Sequence, residues 1–163
     1  PQEGGGGFPL IAATRTTGVP VIYVSVGFRK GYPEVSKNNT IFASIKENGV
    51  FMADNESTAI HPDVAPAENE VVKRRVGAFS FTELEMILRA QGIENLILTG
   101  VTTSRVVLST VGQAFDLDYR LIVVMIIAQI QILTPICFYL KKFYLNMLLL
   151  PVPLKYQNLG IKL

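Results

Sequence analysis

The sequence predicts an α/β fold built around a mainly parallel sheet. Short runs of β-branched and aromatic residues, long enough for buried strands, alternate along the chain with stretches of helical apolar spacing that end at glycine or aspartate. Strands joined through helices form parallel sheets with right-handed crossovers. At 163 residues the chain is long enough for one domain with a real core.

Composition narrows the class of protein further. Apolar residues make up 49% of the chain and charged residues 17%, which excludes a disordered chain. The net charge of +2 indicates no special partner, and no interleaving of basic and aromatic residues suggests nucleic acid. The single cysteine, Cys137, cannot form an internal disulfide, so we expect a reducing, cytoplasmic location.

The first part of the chain predicts a helix and then a strand. Leu10 to Thr17 is typical of the last turns of a helix, with Gly18 as its stop. Val19 to Val26 predicts one buried strand. The segment from Gly27 to Asn69 is rich in loop-forming residues, and we expect one helical turn within it, around Phe42 to Glu47.

Two strands and a helix are predicted next. Glu70 to Lys73 and Ile93 to Thr99 have the composition of strands. Between them, Thr82 to Glu85 fits the T-x-x-E capping box of a helix that stops at Gly92.

A second helix and a fourth strand complete the pattern. The helix is expected from Ser104 or Arg105 to Phe115, and Tyr119 to Met125 predicts the strand. The apolar residues available for the inner face of this helix are Val107, Leu108, Val111, Ala114 and Phe115.

Ligands of open parallel sheets sit at the carboxyl ends of the strands. This rule indicates Lys73 and the loop from Gly100 to Val106, each of which follows a predicted strand. We therefore expect the Lys73 side chain and this loop to face one cleft.

Two segments resemble motifs of the isochorismatase-like hydrolases. Glu70 to Leu84 is similar to the lysine motif of that family, and Gly100 to Thr110 is similar to its nucleophile loop, at the expected distance. The flanking segments agree, and the resemblance covers roughly residues 8 to 124. These flanking segments are Val19 to Gly27, Ser57 to Pro62 and Phe115 to Arg120.

The resemblance implies a three-layer α/β/α sandwich with a Rossmann-like sheet. It also implies hydrolysis of a small substrate, in which a cysteine attacks a carbonyl, an aspartate transfers the proton and a lysine assists electrostatically. Lys73 falls on the family lysine, against the alternative of an ordinary surface charge. No cofactor is implied.

The nucleophile loop would supply backbone N–H groups as an oxyanion hole. Thr102 and Val106 match the donor positions, and Val101, Thr103 and Ser104 complete the pocket backbone. The resemblance further implies a cis peptide between Val101 and Thr102.

Two of the three catalytic positions depart from the family. Val106 occupies the cysteine position and cannot be a nucleophile, and Cys137 lies outside the matched region. The aspartate would precede the helix that ends at Gly18, where this sequence has none. Family members that cleave a vinyl ether also lack the cysteine and use the aspartate as an acid.

The leading hypothesis is a hydrolase of a small carbonyl or enol-ether substrate, catalytically impaired in this chain. The alternative is a catalytically dead binding or oligomerisation module of the same fold. A small-molecule substrate is the expected partner, and a homo-oligomer is possible at the family level. His61 alone does not make a metal site, and Arg74 and Arg75 are interpreted as a solvated face.

The end of the chain differs from the rest. Up to Asp118 there are 10 basic and 13 acidic residues, a balance of −3, whereas from Tyr119 there are 5 basic and no acidic residues. We expect residues 1 to 124 to form a partial domain without its first strand, and 125 to 163 a divergent hydrophobic tail.

The uncharged run from Leu121 to Leu140 is long enough to suggest a membrane anchor, which is a third hypothesis. We expect no span, because Leu121 to Val124 is needed as a strand and Gln129, Gln131 and Pro135 interrupt the remainder.

Overall fold

The computed structural model describes residues 9–53, 55, 58–60, 70–100, 103–127 and 147–151. All statements about structure below concern these residues. The elements in chain order are α1 (Pro9–Thr16), β1 (Tyr23–Val26), α2 (Thr40–Glu47), β2 (Glu70–Lys73), α3 (Leu84–Ala90), β3 (Asn95–Thr99), a π-helical turn (Thr103–Val107), α4 (Leu108–Asp116), β4 (Arg120–Ile127) and β5 (Met147–Pro151).

The chain divides into two compact units. Unit 1 is Pro1–Arg75 with Ser80–Thr82, and unit 2 is Val76–Phe79 with Glu83–Leu163. Each unit contains a sheet, of order β1-β2 in unit 1 and β3-β4-β5 in unit 2. Every pairing in both sheets is parallel, so the predicted α/β fold with parallel strands is confirmed.

Unit 1 has an aromatic core beside its two strands. Tyr23 pairs with Glu70 and the register runs to the pair of Val26 with Lys73. The Phe28 ring is fully buried and lies 5.8 Å, between centroids, from the rings of both Tyr32 and Phe42. Such tilted rings combine large apolar burial with favourable edge contacts.

A glycine ends the first helix of unit 1, and an asparagine side chain caps the start of the second. Gly18 follows α1 with a φ of +71°, which glycine adopts without strain and which confirms the predicted stop. Asn39 caps α2, because its side-chain oxygen accepts a hydrogen bond from the Phe42 N–H at 3.3 Å. The helical turn predicted within the long loop is therefore a helix of two turns.

Unit 2 has β4 at the centre of its sheet. Asn95 of β3 pairs with Arg120, and Val123 pairs with Met147 of β5. Helix α4 contacts β4, and the apolar residues that are fully buried here are Val111, Ala114 and Val123. On this strand pair Ile97 and its register partner Ile122 remain 52% and 41% exposed.

Several predicted boundaries were wrong. Strand β1 begins at Tyr23 instead of Val19, and β4 runs on to Ile127. The capping box was wrong too, since α3 begins after Glu83 and has no side-chain cap. On α4, Phe115 is 53% exposed and so does not belong to the inner face.

Strand β5 lies in the segment that the sequence assigned to a divergent tail, and the proposed domain boundary stays a prediction. In the part of the chain that the structure describes, no helix has the length and apolar character needed to cross a membrane. Residues 128 to 140 of the candidate span lie outside the described residues, as does Cys137.

Candidate functional site

Lys73 is the last residue of β2, at the carboxyl end of a parallel strand. It is 5% exposed, and its Nζ donates a hydrogen bond to the Arg75 carbonyl oxygen at 2.9 Å. Burial lowers the pKa of this ammonium group, because desolvation disfavours the charged form. Lys73 is therefore not an ordinary surface charge.

The alternation of side chains along β2 explains this burial. Val71 and Lys73 are both buried, and residues two apart in a strand point to the same face. Glu70 is exposed and accepts a hydrogen bond from Ser25 on β1. The Gly27 N–H continues the β1–β2 pairing by donating to the Lys73 carbonyl at 3.2 Å. The strand backbone therefore fixes the position of Lys73.

The segment Val76–Phe79 of the lysine motif lies in unit 2 and packs closely on α4. The Ala78 N–H donates to Thr110 Oγ1 at 3.1 Å, and the Phe79 N–H donates to Gln113 Oε1 at 3.3 Å. A Cβ atom added at Gly77 would lie 2.0 Å from that same Gln113 oxygen. A larger residue at this position would therefore have to displace the Gln113 amide, which is the end of a flexible side chain.

Val106 lies in the π-helical turn that precedes α4. Its carbonyl accepts a hydrogen bond from Thr110 Oγ1 at 2.8 Å. The first N–H groups of a helix lack partners within the helix and carry partial positive charge, so backbone donors at this end suit a developing oxyanion. The valine side chain offers neither a nucleophile nor a proton. Sequence reasoning missed this turn, which is common at functional sites.

Some of the predicted site cannot be compared with the structure. Val101 and Thr102 lie outside the described residues, and with them the predicted cis peptide. The backbone of Thr103 and Ser104 forms the start of the π-helical turn. Lys73 belongs to unit 1 and Val106 to unit 2, so their shared cleft stays a prediction.

The interpretation of Arg74 and Arg75 as a solvated face is corrected in part, since both side chains are partly exposed but also make contacts within unit 1. The Arg74 side chain is 34% exposed and its Nε lies 3.2 Å from Glu34 Oε1. The Arg75 guanidinium donates to the Glu34 carbonyl at 3.2 Å and stacks on Phe42, with 5.6 Å from Cζ to the ring centroid. No sequence motif marks these contacts, because Glu34 and Arg75 are 41 residues apart in the sequence.

The described residues contain no group of three or more His, Cys, Asp and Glu side chains that could hold a metal ion. His61, the candidate ligand that the sequence offered, lies outside them.

The isochorismatase domain model matches residues 8–125, which is more than half of the chain. With a parallel α/β fold and a buried lysine at a strand's carboxyl end, the chain thus belongs to the isochorismatase family of hydrolases. This confirms the resemblance carried by the lysine motif and the nucleophile loop.

Individual relatives agree with this assignment. The chain is 33% identical over 117 residues to the uncharacterized isochorismatase family protein YecD of Escherichia coli O157:H7, covering 70% of this chain and 60% of that protein. It is 34% identical over 114 residues to the N-carbamoylsarcosine amidase of an Arthrobacter species, covering 68% and 43% respectively. The chain thus spans about half the length of these curated relatives.

A solved structure supports the fold. An isochorismatase family protein from Desulfovibrio vulgaris matches with a TM-score of 0.74 at 23% identity, covering 90% of this chain and 77% of that one. At this level of identity the likeness concerns the fold alone.

Proposed function

We propose that this chain is a weakly active, cysteine-independent hydrolase of a small carbonyl or enol-ether substrate. The observation that supports this most is Lys73, a buried ammonium group at the carboxyl end of β2, fixed on the Arg75 carbonyl. A buried ionisable group whose pKa is shifted by desolvation is more frequent at functional sites than elsewhere.

Lys73 would act electrostatically in this proposal. As an ammonium group of low solvation it would stabilise negative charge that develops on the substrate oxygen, and burial strengthens such interactions. The lowered pKa also means that loss of its proton begins at a lower pH than for a solvated lysine. We expect activity that depends on Lys73 to fall as the solution becomes alkaline.

Val106 limits the chemistry. Without a thiol there is no thioester intermediate, so amides that need covalent catalysis would not be turned over. A vinyl ether needs a proton on carbon and the attack of water, and no covalent nucleophile takes part. Since Val106 supplies no proton, a water molecule would be the proton donor, and we expect this cleavage to be slow. Backbone N–H groups of the π-helical turn would still be available to bind an oxygen atom of the substrate.

The test is a turnover assay of the full chain on three substrates: nicotinamide, N-carbamoylsarcosine and isochorismate. We expect no amide hydrolysis above background, and slow cleavage of isochorismate that Lys73→Ala abolishes. Lys30→Ala, which changes an exposed lysine, is the matched control and should leave the rate unchanged. Amide turnover that depends on Lys73 would contradict the proposal.

Val106→Cys tests the missing nucleophile separately. We expect this variant to remain inactive on the amides, because a thiol also needs a neighbouring base and no residue of the given sequence matches the family aspartate. Gain of amidase activity would show that another group supplies the base.

The second candidate is a binding or oligomerisation module without catalysis, and the valine at position 106 is the observation that favours it. Saturable binding of isochorismate without any turnover would identify this module. In either case we propose a cytoplasmic protein whose partner is a small molecule, and which associates with copies of itself.

A further inference from the structure

A cavity in unit 1 is not explained by the proposed reaction. Its volume is about 350 Å³, and its described lining consists of Arg29, Glu34, Arg74, Arg75 and Phe81. Cavities that bind small ligands begin at about 300 Å³. The buried Lys73 is not among the described lining residues.

The charges that line this cavity are unbalanced. Three guanidinium groups face one carboxylate, which leaves two positive charges in excess. Burial of Glu34 would raise the pKa of its carboxyl, but a hydrogen bond from Arg29, its own backbone N–H and the charges of Arg29 and Arg74 lower it below the ordinary value. Glu34 therefore remains charged and neutralises only one arginine.

The arginines still have donors to offer. Arg29 Nε donates to Glu34 Oε1, and Arg74 Nε lies 3.2 Å from the same oxygen in a direction that makes no hydrogen bond. Within the described ranges, the terminal nitrogens of these two side chains have no hydrogen-bond acceptor. Glu34 thus orients two guanidinium groups whose outer nitrogens are available to a ligand.

Arg75 is fixed more firmly. Its Nη1 donates to the Arg74 carbonyl at 2.6 Å and its Nη2 to the Glu34 carbonyl at 3.2 Å. Its Cζ lies 5.6 Å from the ring centroids of both Phe42 and Phe81. A guanidinium group held between two rings loses little further freedom when an anion binds.

Phe81 is unusual in two respects. It is 89% exposed, and its φ of +59° lies in the left-handed region, which non-glycine residues adopt only with strain. A strained backbone that presents a large apolar ring to solvent is typical of a ligand site rather than of a core.

We propose that this cavity binds a small planar carboxylate, with the acid on the arginines and its flat apolar part on Phe81. Guanidinium forks match carboxylates in two parallel hydrogen bonds, and a phenylalanine ring stacks on a conjugated ring. The site differs from the position of Lys73 and requires no hydrolysis, so it goes beyond the proposed function.

The experiment is isothermal titration of the full chain with benzoate as the probe and benzamide as its uncharged equivalent. We expect saturable binding of benzoate, at least about tenfold tighter than benzamide, since a charge-assisted pair contributes about 1.5–3 kcal/mol. Binding weakens as salt is raised, because the arginines are partly exposed. Equal affinity for the two probes would overturn the proposal.

Substitutions locate the site. Arg29→Gln is the first choice because that side chain is 68% exposed and its loss does not threaten folding. The control is Arg120→Gln in a second cavity, of about 250 Å³, where two arginines face two carboxylates and the charges balance. We expect at least about tenfold weaker benzoate binding for Arg29→Gln and an unchanged affinity for Arg120→Gln. Equal losses in both variants would contradict the assignment.

Phe81→Asn separates binding from folding. Asparagine tolerates a left-handed backbone, so the melting temperature of this variant should not fall, while removal of the ring should weaken benzoate binding several-fold. Phe115→Ala, which removes an exposed ring from α4, should leave the affinity unchanged. Full affinity in Phe81→Asn would refute the part assigned to the ring.

Discussion

The Thr110 hydroxyl donates to the Val106 carbonyl at 2.8 Å, and the same hydroxyl oxygen accepts a hydrogen bond from the Ala78 N–H at 3.1 Å. Thr110 is 7% exposed, so neither bond is easily replaced by water. One buried side chain therefore joins the turn at the nucleophile position to the second half of the lysine motif.

Replacing Thr110 by valine should destabilise the protein by about 1–3 kcal/mol, because the buried Ala78 N–H loses its acceptor while the shape of the side chain is kept. Urea denaturation measures this free energy. Thr17→Val is the matched control: the Thr17 hydroxyl also bonds a backbone carbonyl but is exposed, and its loss should cost less than about 0.5 kcal/mol. Equal costs at both positions would contradict the buried role of Thr110.

A second prediction concerns Gly77 and Gln113. Gly77→Ala should destabilise the protein by about 1–3 kcal/mol, since the new Cβ displaces the Gln113 amide and with it the bond to the Phe79 N–H. Gln113→Ala removes the obstacle, so the double variant should be more stable than the sum of the single effects predicts. Additive effects in this double-mutant cycle would show that the two residues do not compete for space.

The pH dependence of stability should report on Lys73. Its pKa is lowered by desolvation in the folded state from the ordinary value of 10.5. Below the lowered pKa, Lys73 is protonated in both the folded and the unfolded state, and the desolvation of its ammonium group destabilises the folded state in full. Between the two pKa values the unfolded state binds more protons, so stability rises with pH, by at most about 1.4 kcal/mol per pH unit.

Lys73→Met removes this contribution. The stability of wild type relative to Lys73→Met should increase as the pH rises toward 10.5, measured by denaturation at several alkaline pH values. Lys30→Met, at an exposed position, should follow wild type over the same range. A constant difference between wild type and Lys73→Met would rule out a desolvated ammonium group.

The exposed side chains of Ile97 and Ile122, which are register partners on β3 and β4, should affect solubility more than stability. Ile122→Thr keeps a β-branched side chain at a position 41% exposed, so we expect a small loss of stability and less self-association, measured by light scattering. Val123→Thr, one residue further on and 1% exposed, should cost about 1–3 kcal/mol because it buries a hydroxyl. Similar costs at the two positions would mean that the Ile122 face is covered.

The sequence predicted the order of elements well because that order depends on local patterns. Glu70 to Lys73 was predicted with its observed boundaries, since a short run between loop residues leaves little choice. The exact ends of the elements depend on tertiary packing, which local patterns do not contain. Thr82 was a plausible cap by spacing, yet α3 begins after Glu83 instead. The π-helical turn at Thr103–Val107 carries no propensity signal of its own.

The candidate site was only partly predictable for the same reason. The motif located Lys73, but nothing in the basic triplet Lys73 to Arg75 distinguishes a buried cation from an exposed one. The burial of Lys73 follows from the face that β2 turns inward, and Arg75 contacts Glu34 and Phe42, which lie more than thirty residues earlier in the sequence. Such contacts can be seen only in three dimensions.

The central place of β4 sets how long individual amide protons persist in deuterated solvent. Val123 and Val124 are residues of β4 that are paired with β3 on one side and with β5 on the other. Each amide of β4 donates to one neighbouring strand, but a central strand is also covered by a neighbour on its other side, so local opening at these amides costs more than at an edge strand. Among the described residues, β1 and β2 pair only with each other, so each is held at one edge and opens more easily. Among the described strands, we therefore expect slower amide exchange at Val123 and Val124 of β4 than in the strand that ends at Lys73.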